Sequence, residues 1–196
     1  MKICILTPRF PFPENGGDVL RINNICRYLK SKGHLLVLVS YCSTTDIENQ
    51  HNLPEQIYDK IYYVKRNGVI SLINSLAAII FNKPIQIGYY FSFAYLSIFK
   101  KIVKLEQPDL YLAHLLRMVP YLNICRLQDT SIIEMTDALS KTYNMAGKSS
   151  GVSLKKIIYM LEEKRIAKYE NKTIHNYKKC VLVSEADKEF LEYKSL

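Results

Sequence analysis

The first 42 residues constrain the fold of this chain more than any other stretch. An unbroken apolar run, Lys2-Ile-Cys-Ile-Leu-Thr7, leads into the turn-rich segment Pro8-Arg-Phe-Pro-Phe-Pro-Glu-Asn-Gly-Gly-Asp18. A helix-period segment, Val19–Lys32, stops at Gly33, and a second apolar run follows at Leu35–Cys42. Short apolar runs without alternation are what strands covered on both faces look like, so this order predicts a parallel βαβ unit. Asp18 is the expected cap of the helix and Gly33 its expected stop. The adjacent Gly16 and Gly17 then lie between the carboxyl end of one strand and the amino end of the next helix. Unpaired backbone N–H groups and the helix dipole favour an anion there, so a phosphate-bearing ligand is expected. A plain tight turn after the prolines is the alternative.

The same alternation continues. Strands are expected at Lys60–Val64, Asp109–His114, Ser131–Thr136 and Lys179–Ser184, and helices at Val69–Asn82, Phe93–Glu106, Leu154–Tyr177 and Glu185–Tyr193. Ser92 can cap the third helix, and Gln107-Pro108 ends it. The pattern predicts an α/β fold, a Rossmann-like and mainly parallel sheet flanked by helices, spanning residues 1–196 as one domain. Gly147–Ser153 is expected to be a flexible loop. Val69–Phe81 is too short to span a bilayer and is apolar nearly all round. Burial within the domain is expected for it, with lipid or partner contact as the alternative.

The formal net charge of +9 suits nucleic acid, anionic lipid or phosphorylated ligands. No compact basic arm is present, so nucleic acid is not an expected partner. Cations thicken after Lys141, where solvated helix surface and a binding patch are the two readings. Cys4, Cys26, Cys42, Cys125 and Cys180 show neither disulfide nor zinc spacing, and read as small hydrophobes in a reducing cytosol. The strand-length run after Lys2 is not a signal peptide. The dinucleotide fingerprint, a P-loop, an Asp-x-Asp pair and a hydrolase elbow are all missing, and the histidines lack metal-ligand spacing. No metal is expected.

In open parallel sheets ligands bind beyond the carboxyl ends of the strands. That topology collects Arg9 with Gly16 and Gly17, Ser43 with Thr44, His114 with Arg117, Asp137 with Ser140 and Lys141, and Ser184 with Glu185. Each has an ordinary reading too: His114 packing at a strand end, Asp137 capping a helix near Ala138, Arg21 on a helix surface.

Taken in order, several segments resemble the N-terminal domain of a GT-B glycosyltransferase of the family 4 type, nearest to the bacterial sugar transferases of exopolysaccharide clusters. They are Pro8–Asp18 with Arg21 and Leu29-x-x-x-Gly-His34, Lys83–Tyr90, Asp109–His114, Glu134-Met-Thr-Asp137-x-x-Ser140-Lys141, and Val183-Ser184-Glu185-x-Asp187. The resemblance implies the acceptor-binding half of a retaining enzyme that moves sugar from a nucleotide sugar to a glycan or lipid-linked acceptor. Gly16 and Gly17 would face the donor diphosphate and Arg21 would add a cation. His114 would contact the transferred sugar, and Asp137 would sit near the acceptor, making these two the candidate catalytic residues.

The nucleotide sugar enters as substrate, with no cofactor. Such enzymes continue past the position of Leu196 into a donor domain carrying paired glutamates eight positions apart. Glu162 and Glu170 have that spacing but fall in a helix of the N-terminal half, so the role is not transferred to them. The resemblance therefore implies that this chain alone is inactive, with the donor domain as its missing partner. A cytosolic setting follows, with the inner face of the cell membrane as a surface the chain could meet. The alternative function is a non-catalytic Rossmann-like module that binds a membrane surface or a partner.

Overall fold

Side chains of the central strands alternate between two separate apolar layers. The computed structural model describes residues 1–48, 56–149 and 154–195. In β1 (Lys2–Thr7), Ile3 and Ile5 enter one layer while Cys4 and Leu6 enter the other. In β2 (Leu35–Cys42), Leu36 and Leu38 oppose Val37 and Val39 in the same way. The first layer packs on Ile22 and Cys26 of α1 (Gly17–Ser31), and the second on Tyr95, Phe99 and Ile102 of α5 (Phe93–Glu106). Two covered faces explain why these strands read as continuous apolar runs.

The remaining strands are β3 (Lys60–Lys65), β4 (Leu110–His114), β5 (Ser131–Thr136) and β6 (Cys180–Leu182). All pair in parallel, in the order β3-β2-β1-β4-β5-β6. The fold is thus α/β and Rossmann-like. Strand order reverses between β1 and β4, which leaves a crevice at the carboxyl ends of those two strands.

Boundary signals are mostly where the sequence puts them. Ser92 caps α5 by accepting from the Tyr95 N–H at 3.1 Å, and Gly33 takes a φ of +79° just beyond α1. Asp18 does not cap α1. The helix begins at Gly17, and the Asp18 carboxylate turns back to the Arg9 guanidinium. The expected loop at Gly147–Ser153 is also corrected in part. Gly147, Lys148 and Ser149 end α7 (Leu139–Ser149), and residues 150–153 lie outside the described residues. Three further short helices, α2 (Thr44–Glu48), α4 (Ile85–Tyr90) and α6 (Val119–Cys125), fall where the sequence pattern assigned no element.

One helix is arranged against its expected burial, and another keeps its cations outward as a solvated helix surface should. In α3 (Gly68–Ile80) the inner face is Ser71, Ser75 and Ala78, and the large apolar residues point outward. The small residues let the backbones of α3 and α4 approach closely. A Cβ on Gly88 would sit 2.4 Å from the Asn74 carbonyl oxygen, so only glycine fits there. In α8 (Leu154–Asn176) the glutamates rather than the lysines face inward. Glu162 accepts from the Ile85 N–H at 2.5 Å at the start of α4. Glu170 accepts from the Leu139 N–H at 2.7 Å at the start of α7. Each carboxylate thereby satisfies orphan donors of another helix and meets the positive end of its dipole. The eight-residue spacing of these glutamates is that of two structural caps. All five cysteines are free, with Cys4, Cys26 and Cys42 buried and the other two half-buried. The last helix, α9 (Glu185–Ser195), follows β6.

Candidate functional site

Three elements, β4, β5 and α1, converge at the carboxyl edge of the sheet. His114 closes β4, and Glu134 is its register partner on β5. The His114 ring is buried, and its Nδ1 lies 2.6 Å from Glu134 Oε2. Glu134 Oε1 accepts from Arg21 Nε at 2.6 Å, reaching across from α1. The backbone N–H and the hydroxyl of Thr136 donate to Glu134 at 3.1 and 3.0 Å. Burial alone would push the Glu134 carboxyl up. The hydrogen bond and charge of His114, then Arg21 and Thr136, outweigh it and hold Glu134 below the ordinary carboxylate range.

An ionised carboxylate has no proton to give, so the shared hydrogen belongs to His114 Nδ1. The other ring nitrogen, Nε2, is buried with no hydrogen-bond partner among the described residues. It offers a lone pair when the ring is neutral and an N–H when the ring is charged. Thr7 Oγ1, at the end of β1, is also buried without a partner among the described residues, as are Ser140 Oγ and Glu162 Oε2 elsewhere. Thr7 and His114 each follow a paired residue, Leu6 and Ala113, so both unpartnered atoms end adjacent strands at one level. Buried polar atoms without partners are uncommon enough to require a reason.

The backbone around this pair is strained. Leu115 has φ +69° and ψ 150°, and Thr136 has φ +62°. Asn82, Gln107 and Arg126 also have positive φ, but each follows the end of a helix, where the left-handed conformation is usual. Leu115 instead directly follows His114 at the end of β4, and Thr136 ends β5 two residues after Glu134, to which it is hydrogen-bonded. A branched side chain at positive φ is a genuine outlier, and such strain gathers at functional positions. The register shift between Glu134 and Thr136 is its local consequence in the sheet.

A shallow, open cleft of about 750 Å³ adjoins this network through Arg21 and Thr136; Gly17 and Asp137 share its wall with the outer face of α1 (Leu20, Ile25, Tyr28), and neither His114 nor Glu134 lines it. Three of the sequence-derived site residues are therefore brought together: Gly17, Arg21 and Asp137. Gly17 is exposed, and a Cβ built there meets nothing within 4 Å. Gly16 differs, since a Cβ there would stand 2.9 Å from Arg9 Nη2. Gly16 makes room for the Arg9–Asp18 pair, whereas Gly17 leaves its backbone open to the cleft. Burial would raise the Asp18 carboxyl, but Arg9 and the His114 ring beyond it hold it below the ordinary range. Arg21 engages Glu134 through Nε.

Asp137 is exposed and is not the cap of α7, because Glu170 takes the Leu139 and Ser140 N–H groups. The capping reading of Asp137 is thereby removed. Other residues at the strand ends are already engaged. Lys141 Nζ donates to Asp187 Oδ1 at 2.9 Å, and Ser184 Oγ donates to Asp187 Oδ2 at 2.8 Å. Arg117 donates to Gln86 at 2.9 Å and stacks over Tyr90, 4.8 Å from the ring centre. Ser43 pairs with Asp46. Among the described residues no group of three or more His, Cys, Asp or Glu side chains is placed to hold a metal ion.

Sequence reasoning passed over two residues that build the site. Glu134 is its hub, and the available signal was a lone carboxylate inside the apolar run Ile132-Ile133-Glu134-Met135. Asn23 is fully buried in α1 and fixes the preceding loop. Its Nδ2 donates to the Pro11 carbonyl and to Glu14 Oε1, both at 2.7 Å, while its Oδ1 accepts from Tyr58 at 2.8 Å. Phe10 and Phe12 bury beside it and anchor the loop in the apolar layer under α1. An asparagine facing inward from a helix leaves no pattern that marks it for this task. The chain matches no model of a known protein family and no curated protein.

Proposed function

We propose that this chain is the acceptor-side half of a retaining glycosyltransferase acting in polysaccharide assembly. Sugar would pass from a nucleotide-sugar donor to a glycan or lipid-linked acceptor at the cytosolic face of the membrane. The observation that carries the reading is the open cleft, which gathers Gly17, Arg21 and Asp137 beside the Arg21–Glu134–His114 network. The exposed backbone of Gly17 at the start of α1 and the Arg21 guanidinium suit a diphosphate leaving group, whose developing charge they would stabilise. Glu134 holds Arg21 and His114 in fixed orientation, a positioning task rather than a chemical one. Contact between the transferred sugar and His114 Nε2 requires the wall over the ring to open, because that atom is buried. Asp137, exposed in the cleft wall, would orient an acceptor hydroxyl. The openness of the cleft favours this reading over a self-contained phosphate-ligand protein, whose own residues would close it.

Transfer needs both walls of such a cleft, so two proteins are to be compared: residues 1–196, and the same chain joined to whatever coding sequence follows Leu196. Each is incubated with a panel of nucleotide sugars and membrane lipid extract. Transfer is expected from the longer protein only. Turnover by residues 1–196 alone would contradict the need for a second wall. A longer protein with a second α/β half and no transfer would sink the activity itself.

A further inference from the structure

The helix α3 is built inside out. Val69, Leu72, Ile73, Leu76 and Ile80 are each at least 56% exposed, while Ser71 and Ser75 are buried. No charged residue occurs from Gly68 through Asn82, and Phe81 at the helix end is 71% exposed. A contiguous apolar face of this kind on a folded domain marks a contact surface. Cations bracket it, with Lys65 and Arg66 before the helix and Lys83 after it.

Beside α3 runs a groove of about 480 Å³ between α3, α4, α6 and α8. Its apolar floor includes Phe81, Ile87, Phe91 and Ile124, and its edge carries Lys83, Lys168 and Lys172. Arg165 in the same groove is committed to Asn82 at 3.1 Å and to Glu162 at 3.6 Å. The three lysines pair with no carboxylate among the described residues. Their neighbouring carboxylates, Glu162 and Glu170, are turned inward as caps, which leaves the outer face of α8 with its positive charge unbalanced.

We infer that α3 lies in the interface of an anionic phospholipid bilayer, with its apolar face among the upper acyl chains and Lys83, Lys168 and Lys172 on the lipid phosphates. Uncharged apolar residues at the centre and cations at the margins are the arrangement an interfacial helix requires. A protein interface carries on the order of one hydrogen bond per 100–200 Å², and between Gly68 and Asn82 the outward residues supply almost no group for one, whereas lipid acyl chains require none. The inference stands on this face alone and does not require sugar transfer.

Flotation of the full chain with phosphatidylcholine vesicles, with and without phosphatidylglycerol, tests it. Binding is expected only where phosphatidylglycerol is present, and it should weaken as salt is raised. The double substitution L72D/L76D should lower partitioning by about tenfold or more, and K168E/K172E by a comparable factor. All four positions are exposed, so the unfolding midpoints should stay near that of the parent chain. No binding to the anionic vesicles overturns the inference, as does binding unchanged in L72D/L76D. Sedimentation without lipid supplies a further check. A dimer that L72D/L76D dissolves would assign the face to a second copy of the chain and overturn the bilayer as occupant.

Discussion

Two buried carboxylates lie at opposite ends of the same sheet, and their surroundings are not alike. Glu106, at the amino-terminal edge, receives Lys60 at 2.8 Å, Tyr62 at 2.6 Å and Lys2 at 3.3 Å. Its cations reach solvent, and the left-handed residue beside it, Gln107, is an ordinary helix end. Glu134, at the carboxyl edge, has as many partners, but one of them is a histidine whose second nitrogen is buried without a partner among the described residues. The residues beside that pair, Leu115 and Thr136, are strained where strands end. The Glu106 network stands on relaxed backbone, whereas the carboxyl-edge network combines an unpartnered histidine nitrogen, strained backbone and an adjoining open cleft. An unpartnered atom alone does not mark a site, since the structural cap Glu162 also has one at Oε2; the conjunction of the three separates a site from a structural clamp.

The comparison breaks most readily at His114. In the transfer-competent protein, H114N should keep a donor to Glu134 and lose Nε2, lowering turnover by roughly 100-fold or more. E106Q should leave turnover unchanged in the same assay. Equal effects would erase the distinction between the two ends.

Stability separates the carboxylates next. E134A strips a partly buried Arg21 and a buried His114 of their shared acceptor and should cost roughly 3 kcal/mol in denaturant unfolding. E106A frees Lys2 and Lys60, which are 31% and 58% exposed and can rehydrate, so roughly 1–2 kcal/mol is expected.

The pH dependence has opposite signs at Glu106 and at a third buried carboxyl, Glu170. Hydrogen bonds from Lys60 and Tyr62 pull the Glu106 carboxyl down from 4.5 to about 2. The folded state therefore gains from its ionisation above 4.5, and that gain is lost as pH falls through about 2. Burial pushes Glu170 the other way, up to about 7, although the N–H groups of α7 partly oppose it. Stability from Glu170 is then full below 4.5 and declines as pH rises to about 7. Unfolding measured against pH should show E106Q flattening the acid limb, while E170Q flattens the decline between pH 4.5 and 7.

The smallest effects concern backbone strain. Q107G should raise stability by about 0.5–1 kcal/mol with transfer unaffected, since a glycine suits a left-handed helix end. L115G should relieve a comparable strain yet lower transfer, because it loosens the residue next to His114. If L115G leaves transfer intact, the strain beside His114 has no part in the site.

Much of the fold was legible because it rests on local patterns. Continuous apolar runs marked β1, β2, β4 and β5, and Ser92 and Gly33 announced helix boundaries through their own side-chain and backbone preferences. The site was legible in part. Gly17 and Asp137 follow from the rule that ligands meet parallel sheets at strand carboxyl ends, whereas Arg21 came only from the family resemblance; all three line one cleft. Glu134 and the caps from Glu162 and Glu170 were not legible, because each acts on residues far away in sequence, 113, 77 and 31 positions distant. The orientation of α3 was hidden for a related reason. A helix apolar nearly all round does not say which side turns inward, and the close approach of Gly88 decided it.

The sequence by itself determined the alternation of strands and helices, the parallel sheet and the placing of a glycine turn before the first helix, since all three depend on near neighbours. Tertiary structure alone decided the rest: which polar atoms stay unpaired, which carboxylates become caps, and which apolar helix remains uncovered. Those outcomes depend on distances between segments that the chain brings together only when it folds, and no local preference encodes them.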